Sequence, residues 1–167
     1  TLISKNVVLT AAHCVLTKEG DTISISELVL FIGRNNIEDW TEDGILTPKI
    51  NDIISHSEYK KSFSGSFDAD IAVIRLKQTV TYTQYIRPAC LWDMNIDVNQ
   101  IVSETAVVVG WGKDTSGNVT STPNKVNIPI VSESVCLRSH ESYRYLTSNR
   151  TFCAGNKDGS GPCNGDS

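Results

Sequence analysis

Short runs rich in Val, Ile and Leu recur along this chain between clusters of Gly, Asn, Asp, Ser and Pro, and that spacing admits few folds. Runs at 6–9, 28–32, 71–76, 106–109 and 126–130 have strand length and are bounded by turn residues. They predict an all-β barrel or sandwich. The exception is 132–145, where Val135, Cys136 and Leu137 sit among polar residues after Ser132. A Ser before such a stretch caps a helix, so a short helix is expected there. No repeat of fixed period, low-complexity tract or heptad pattern appears.

The chain has 167 residues, which fits one domain with a real core. A hydrophobic fraction of 40% and a charged fraction of 20% are those of an ordinary globular protein. No run approaches the roughly 18 apolar residues of a membrane helix. The net charge of −4 is scattered, and Lys and Arg form no dense patch, so neither a membrane nor a nucleic acid is an expected partner.

Five cysteines, Cys14, Cys90, Cys136, Cys153 and Cys163, stand at wide, irregular intervals without a C-x-x-C pair. That spacing argues against a structural zinc site. An odd count leaves three readings open: a free thiol, an intermolecular bridge, or partners outside this stretch. N-x-T sequons at Asn118 and Asn149 lean towards a secreted protein, although such triplets also arise by chance.

Three patterns carry chemistry. In the first, Leu9-Thr10-Ala11-Ala12-His13-Cys14 follows an apolar run, and small residues there let the backbone turn tightly. A His held in such a turn has the fixed ring a general base needs, while a structural His is the plainer alternative. In the second, Asp70 opens the apolar run Ile71-Ala72-Val73-Ile74. A carboxylate so placed needs a partner, and an imidazole N–H would serve; a strand-capping Asp is the plainer alternative. In the third, the glycine-rich stretch Gly159 to Ser167, with Cys163 within it, can turn successive N–H groups towards one point, as an oxyanion hole requires. By itself it also reads as a flexible loop. The order His, Asp, Ser separates this chain from subtilisin-like enzymes and from α/β-hydrolases, which order the same groups differently.

With these residues in view, Thr-Ala-Ala-His-Cys, Asp-Ile-Ala-Val-Ile-Arg-Leu, Val-Val-Gly-Trp-Gly and Cys-Asn-Gly-Asp-Ser together resemble the trypsin and chymotrypsin family along the whole of 1–167. The resemblance implies two six-stranded Greek-key barrels, the first mostly within 1–90 and an incomplete second beginning within 104–167. It implies a secreted serine endopeptidase without a cofactor, in which His13 is the general base, Asp70 its orienter and Ser167 the nucleophile. The amides of Gly165 and Ser167 would bind the oxyanion, and Gly161 and Asn164 would face the substrate. Asp166 would pair with the amino terminus released by zymogen cleavage. Cys136 would bridge Cys153; Cys14, Cys90 and Cys163 would pair outside this stretch, making it a fragment at both ends, inactive by itself. Protein substrates, an upstream activating protease and a macromolecular inhibitor are the implied partners.

The chain departs from trypsin at two places. Gly161 stands where trypsin-like members carry the acid of the primary specificity pocket, so a small or apolar preference is expected. Arg34 stands at the first acidic position of the calcium loop, with Glu38, Asp39, Glu42 and Asp43 nearby, so no trypsin-type calcium site is expected. The nucleophile loop resembles invertebrate extracellular cascade proteases, gastrulation-defective-like or modular, with a digestive protease as the alternative. Two other classes are alternatives: a non-catalytic homologue acting as a binding module, and a metal-binding module built on His13, His56 and His140, for which no ligand spacing exists.

Overall fold

A strand whose alternate residues are apolar has one face to bury, and antiparallel neighbours bury it together. In the computed structural model, which describes residues 1–59, 67–92, 97–114, 116–156 and 161–162, this happens twice. The chain divides into two units, Thr1–Lys61 with Ala69–Asp93, and Ser62–Asp68 with Met94–Ser167.

In the first unit, β1 (Leu2–Ser4), β2 (Val7–Thr10), β3 (Ile50–Ser55) and β4 (Ala72–Leu76) form an antiparallel sheet in the order β1-β2-β4-β3. Along β4, Ala72, Ile74 and Leu76 are buried while Arg75 faces out, a period of two. In β3 the buried residues are Ile50 and Ile53, three apart, because a register shift against β4 between Ile50 and Asp52 inserts one residue. That irregularity, with Asn51 and Asp52 inside the run, hid β3 from a reading by alternation. Val8, Val15, Ile50, Ile74, Leu76 and Ile86 belong to one buried cluster. Each fully buried side chain of this size stabilises by about 1.5–3 kcal/mol. On the outer face Arg75 Nη2 meets Asp52 Oδ2 at 2.6 Å, a surface ion pair of small weight.

The run at 28–32 is not a paired strand. Leu28, Leu30 and Ile32 pack half-buried against the core and Val29 is exposed; the Leu28 N–H closes the preceding 3-10 turn on the Ile25 carbonyl, and among the described residues Ile32 alone of the run makes a β-bridge, with Leu46. Alternation records which face is buried and says nothing about a ladder partner. Gly33 follows with φ +83°, and a Cβ there would approach Ile86 Cγ1 to 2.9 Å, so only glycine fits.

In the second unit, β5 (Thr105–Gly110), β6 (Asn124–Val131) and β7 (Cys153–Ala154) form an antiparallel sheet in that order. Ser132 is the N-cap residue of α1 (Glu133–Ser139), though its side chain makes no capping hydrogen bond. A second helix, α2 (Tyr143–Leu146), follows. A disulfide between Cys136 and Cys153 ties α1 to β7. Among the described residues neither sheet closes into a barrel, and no helix is long and apolar enough to cross a membrane.

Candidate active site

The pairing of β2 with β4 decides where His13 and Asp70 meet. Thr10 at the end of β2 lies opposite Ala72 at the start of β4, so the residues just after β2 and just before β4 share one end of the sheet. Beyond Thr10 the chain forms a single 3-10 turn over Ala12–Cys14, closed by Val15 N–H donating to the Ala12 carbonyl at 3.0 Å. Ala12 is wholly buried, so the turn can press against the core only because its side chain is a methyl group.

Asp70 holds His13 at two points. Its Oδ1 accepts the His13 backbone N–H at 2.9 Å, and its Oδ2 lies 2.6 Å from His13 Nδ1. The carboxylate side chain is 11% exposed and the imidazole 35%, so the acid is shielded while the ring reaches the surface. A carboxylate only accepts hydrogen bonds, so the proton of the neutral imidazole sits on Nδ1 and Nε2 carries the lone pair. That tautomer is the one a general base requires. The backbone contact to His13 had no signature in the sequence, because a main-chain N–H is present at every non-proline residue.

Cys14, next to His13, has no disulfide partner among the described residues, and neither has Cys90. Partial burial pushes the Cys14 thiol above its ordinary range, a hydrogen bond to Thr10 opposes this, and the Asp70 charge adds to the rise. Tyr59 packs against the same core, and its phenol is also pushed up, by burial first and then by the charges of Asp70 and Cys14.

Of the glycine-rich stretch, Gly161 and Pro162 are among the described residues. Cys163, Asn164, Gly165, Asp166 and Ser167 lie outside the described residues, so the structure brings together two of the three expected triad residues. Gly161 is exposed, and a Cβ added there would meet no described atom within 4 Å. Asn118 and Asn149, the two sequon positions, are both exposed.

The loop that follows Gly33 does not fit a calcium ion. The Arg34 guanidinium donates to the carbonyls of Asn36 at 3.1 Å, Ile37 at 2.8 Å and Asp39 at 3.3 Å. It also lies 4.6 Å from the Phe31 ring centre and 4.3 Å from that of Trp40. Glu42 is engaged too, accepting the backbone N–H groups of Asn35 and Asn36. A guanidinium already holds the oxygens that a hard divalent cation would take. Among the described residues no group of three or more His, Cys, Asp or Glu is placed to hold a metal ion.

The family profile described as Trypsin matches residues 1–167. Serine protease gd of Drosophila melanogaster is 37% identical over 171 residues, covering 93% of this chain and 32% of the relative. Phenoloxidase-activating factor 1 of Holotrichia diomphalia is 28% identical, covering all of this chain and 47% of the relative. The chain thus spans 32% to 47% of the length of these curated relatives. Among solved structures, a mouse brain serine protease, neuropsin, superposes with a TM-score of 0.79 over the whole chain and 67% of its own, at 24% identity, and so supports the fold. With its sheets, its His13–Asp70 pair and a family match from end to end, the chain belongs to the trypsin family.

Proposed function

We propose that the protein containing this chain is a secreted serine endopeptidase of an extracellular proteolytic cascade, with His13, Asp70 and Ser167 as its triad. The observation that carries this reading is the two-point hold of Asp70 on His13, which leaves Nε2 as the basic nitrogen. In the proposed cycle, Ser167 Oγ attacks the scissile carbonyl as its proton passes to His13 Nε2. The amides of Gly165 and Ser167 stabilise the oxyanion. His13 then protonates the leaving amine, giving an acyl-enzyme; water, deprotonated by His13, releases the acid and restores Ser167. Asp70 stabilises the imidazolium without taking its proton.

The cascade assignment rests on the relatives, one of which is named for activating phenoloxidase. It carries with it protein substrates, an upstream protease that frees an amino terminus to pair with Asp166, and a macromolecular inhibitor. Asn118 and Asn149 would carry N-linked glycans, which a mass decrease on endoglycosidase treatment of the secreted protein would reveal.

The decisive test treats the natural secreted protein with a fluorophosphonate before and after proteolytic activation and maps the label. Label on Ser167 that rises on activation is expected. An unlabelled protein after confirmed activation would overturn the reading in favour of a non-catalytic homologue acting as a binding module.

A further inference from the structure

The run at 28–32 and the chain entering β3 meet at one point and then separate. Ile32 and Leu46 exchange backbone hydrogen bonds, both at 2.9 Å. From there one chain passes back to Leu28 and the other forward to Ile50, and among the described residues no backbone hydrogen bond joins them. Pro48 lies on this stretch and has no N–H to offer. The gap is an open cleft of about 300 Å³, and every residue lining it belongs to the first unit.

The floor of the cleft is apolar: Leu28 and Leu30 are half-buried and Ile50 is buried. Its wall is apolar as well but open to solvent, with Ile25 41% and Val29 65% exposed. Ile25 is set in place by a capped 3-10 turn, Ile25–Glu27. The Ser24 hydroxyl accepts the Ser26 N–H at 3.4 Å, and the Glu27 carboxylate accepts the Ser24 N–H at 3.2 Å. Both acids next to the cleft in sequence are therefore engaged, Glu27 in this cap and Asp52 with Arg75.

The rim is basic. Lys77 N–H donates to the Lys49 carbonyl at 2.8 Å, so the two lysines leave neighbouring chains side by side, and both line the cleft. Among the described residues neither ammonium meets a carboxylate. The volume is at the bottom of the range for small-molecule sites, about 300–1,000 Å³, and the polar lining is Thr47 and the two rim lysines. Inward polar groups that would orient a small ligand are missing from that lining. An apolar floor beneath two unopposed cations instead matches a chain that lays apolar side chains down and carries carboxylates beside them.

We infer that this cleft docks an acidic, apolar peptide segment of a partner protein. Its apolar side chains would rest on Leu28, Val29 and Ile50, and its carboxylates would meet Lys49 and Lys77. The cleft lies at the end of β4 away from His13, since Asp70 precedes that strand and Lys77 follows it. The inference does not depend on the triad reading.

The test is made on the activated full-length protein. A fluorescein-labelled octapeptide, Leu-Leu-Glu-Glu-Leu-Leu-Glu-Glu, is titrated by anisotropy beside a control with Lys in place of each Glu. The acidic peptide is expected to bind about tenfold or more tighter than the control, and to weaken as salt rises from about 0.05 M to about 0.5 M. Lys49→Glu with Lys77→Glu should cost about tenfold or more, and Val29→Ser about threefold. Turnover of a peptide ester should be the same in all variants. A wild-type protein without turnover would refute the triad reading alone, and the anisotropy would still decide the cleft. Equal binding of the two peptides, or an affinity that neither set of changes moves, would overturn the inference. So would displacement by a sulfated polysaccharide with a loss on lysine reversal and none on Val29→Ser, which would assign the cations to a polyanion. Dimers in sedimentation that the lysine reversal dissolves would give the cleft to a second copy of the chain and overturn it equally. Should the double reversal fail to fold, Lys49→Gln with Lys77→Gln makes the same comparison with a smaller loss.

Discussion

Asp70 grips His13 by both carboxylate oxygens, one on the backbone N–H at 2.9 Å and one at Nδ1 at 2.6 Å. The first contact ties the carboxylate to the main chain, and the second orients the ring from that fixed point. An Asn at this position would retain the first and could present its NH₂ group to the second. Asp70→Asn should therefore favour the tautomer with its proton on Nε2. The expected result is a kcat lower by about 10⁴-fold with a nearly unchanged melting temperature. Activity within tenfold of wild type would show that the pair does not set the tautomer.

Cys136 and Cys153 are 17 residues apart and join α1 to β7. Closing a loop of this size restricts the unfolded chain, and losing the bridge costs about 3 kcal/mol. The double replacement Cys136→Ser with Cys153→Ser should lower the urea midpoint accordingly. An unchanged midpoint would mean that the second unit owes its stability to other contacts.

Arg34 supplies the cation at the loop after Gly33. Chelation with EDTA and addition of millimolar calcium should leave the melting temperature where it was. Arg34→Ala should lower it, because three carbonyls lose a shared donor. A marked rise with calcium in the wild-type protein would contradict this account of the loop.

Tyr59 gives a pH dependence with a definite sign. Burial, then Asp70, then Cys14 raise its phenol above the ordinary value, so the folded protein favours the protonated form. The stabilisation is complete below the unfolded pKa of about 10 and is lost as pH rises through the higher folded value. Tyr59→Phe should flatten that alkaline loss in a pH series of denaturation curves. Identical slopes for the two proteins would rule Tyr59 out as its source.

Gly161 offers no charge for a basic substrate side chain, and a side chain built there would meet no described atom within 4 Å. On a panel of chromogenic peptides the activated protein should prefer small or apolar residues before the cleaved bond. Gly161→Asp should fold and shift preference towards Arg and Lys by about tenfold or more, as a desolvated charge pair does. A wild-type preference for Arg would locate the specificity determinant elsewhere.

Much of this was legible in the residues themselves, for reasons that differ by element. β4 and β5 announce themselves because runs rich in Val and Ile between turn residues favour the extended chain. His13 and Asp70 were recognisable by their settings, small residues around one and an apolar strand after the other. By contrast, β3 was hidden by its register shift, and β1 and β7 by lengths of three and two residues. The run at 28–32 carried the right alternation without a ladder partner, since burial is written locally and pairing is not.

The sequence by itself determined the chemistry at hand: which groups can donate, accept or carry a proton, and in what order along the chain they occur. Only the tertiary structure decided which of them meet. The register of β2 against β4 places His13 beside Asp70, 57 positions away, and the hold of Arg150 and Ser148 on Asp68 spans 82 and 80 positions. Contacts at such separations follow from how the strands pair and the loops close, and no local pattern of residues encodes that.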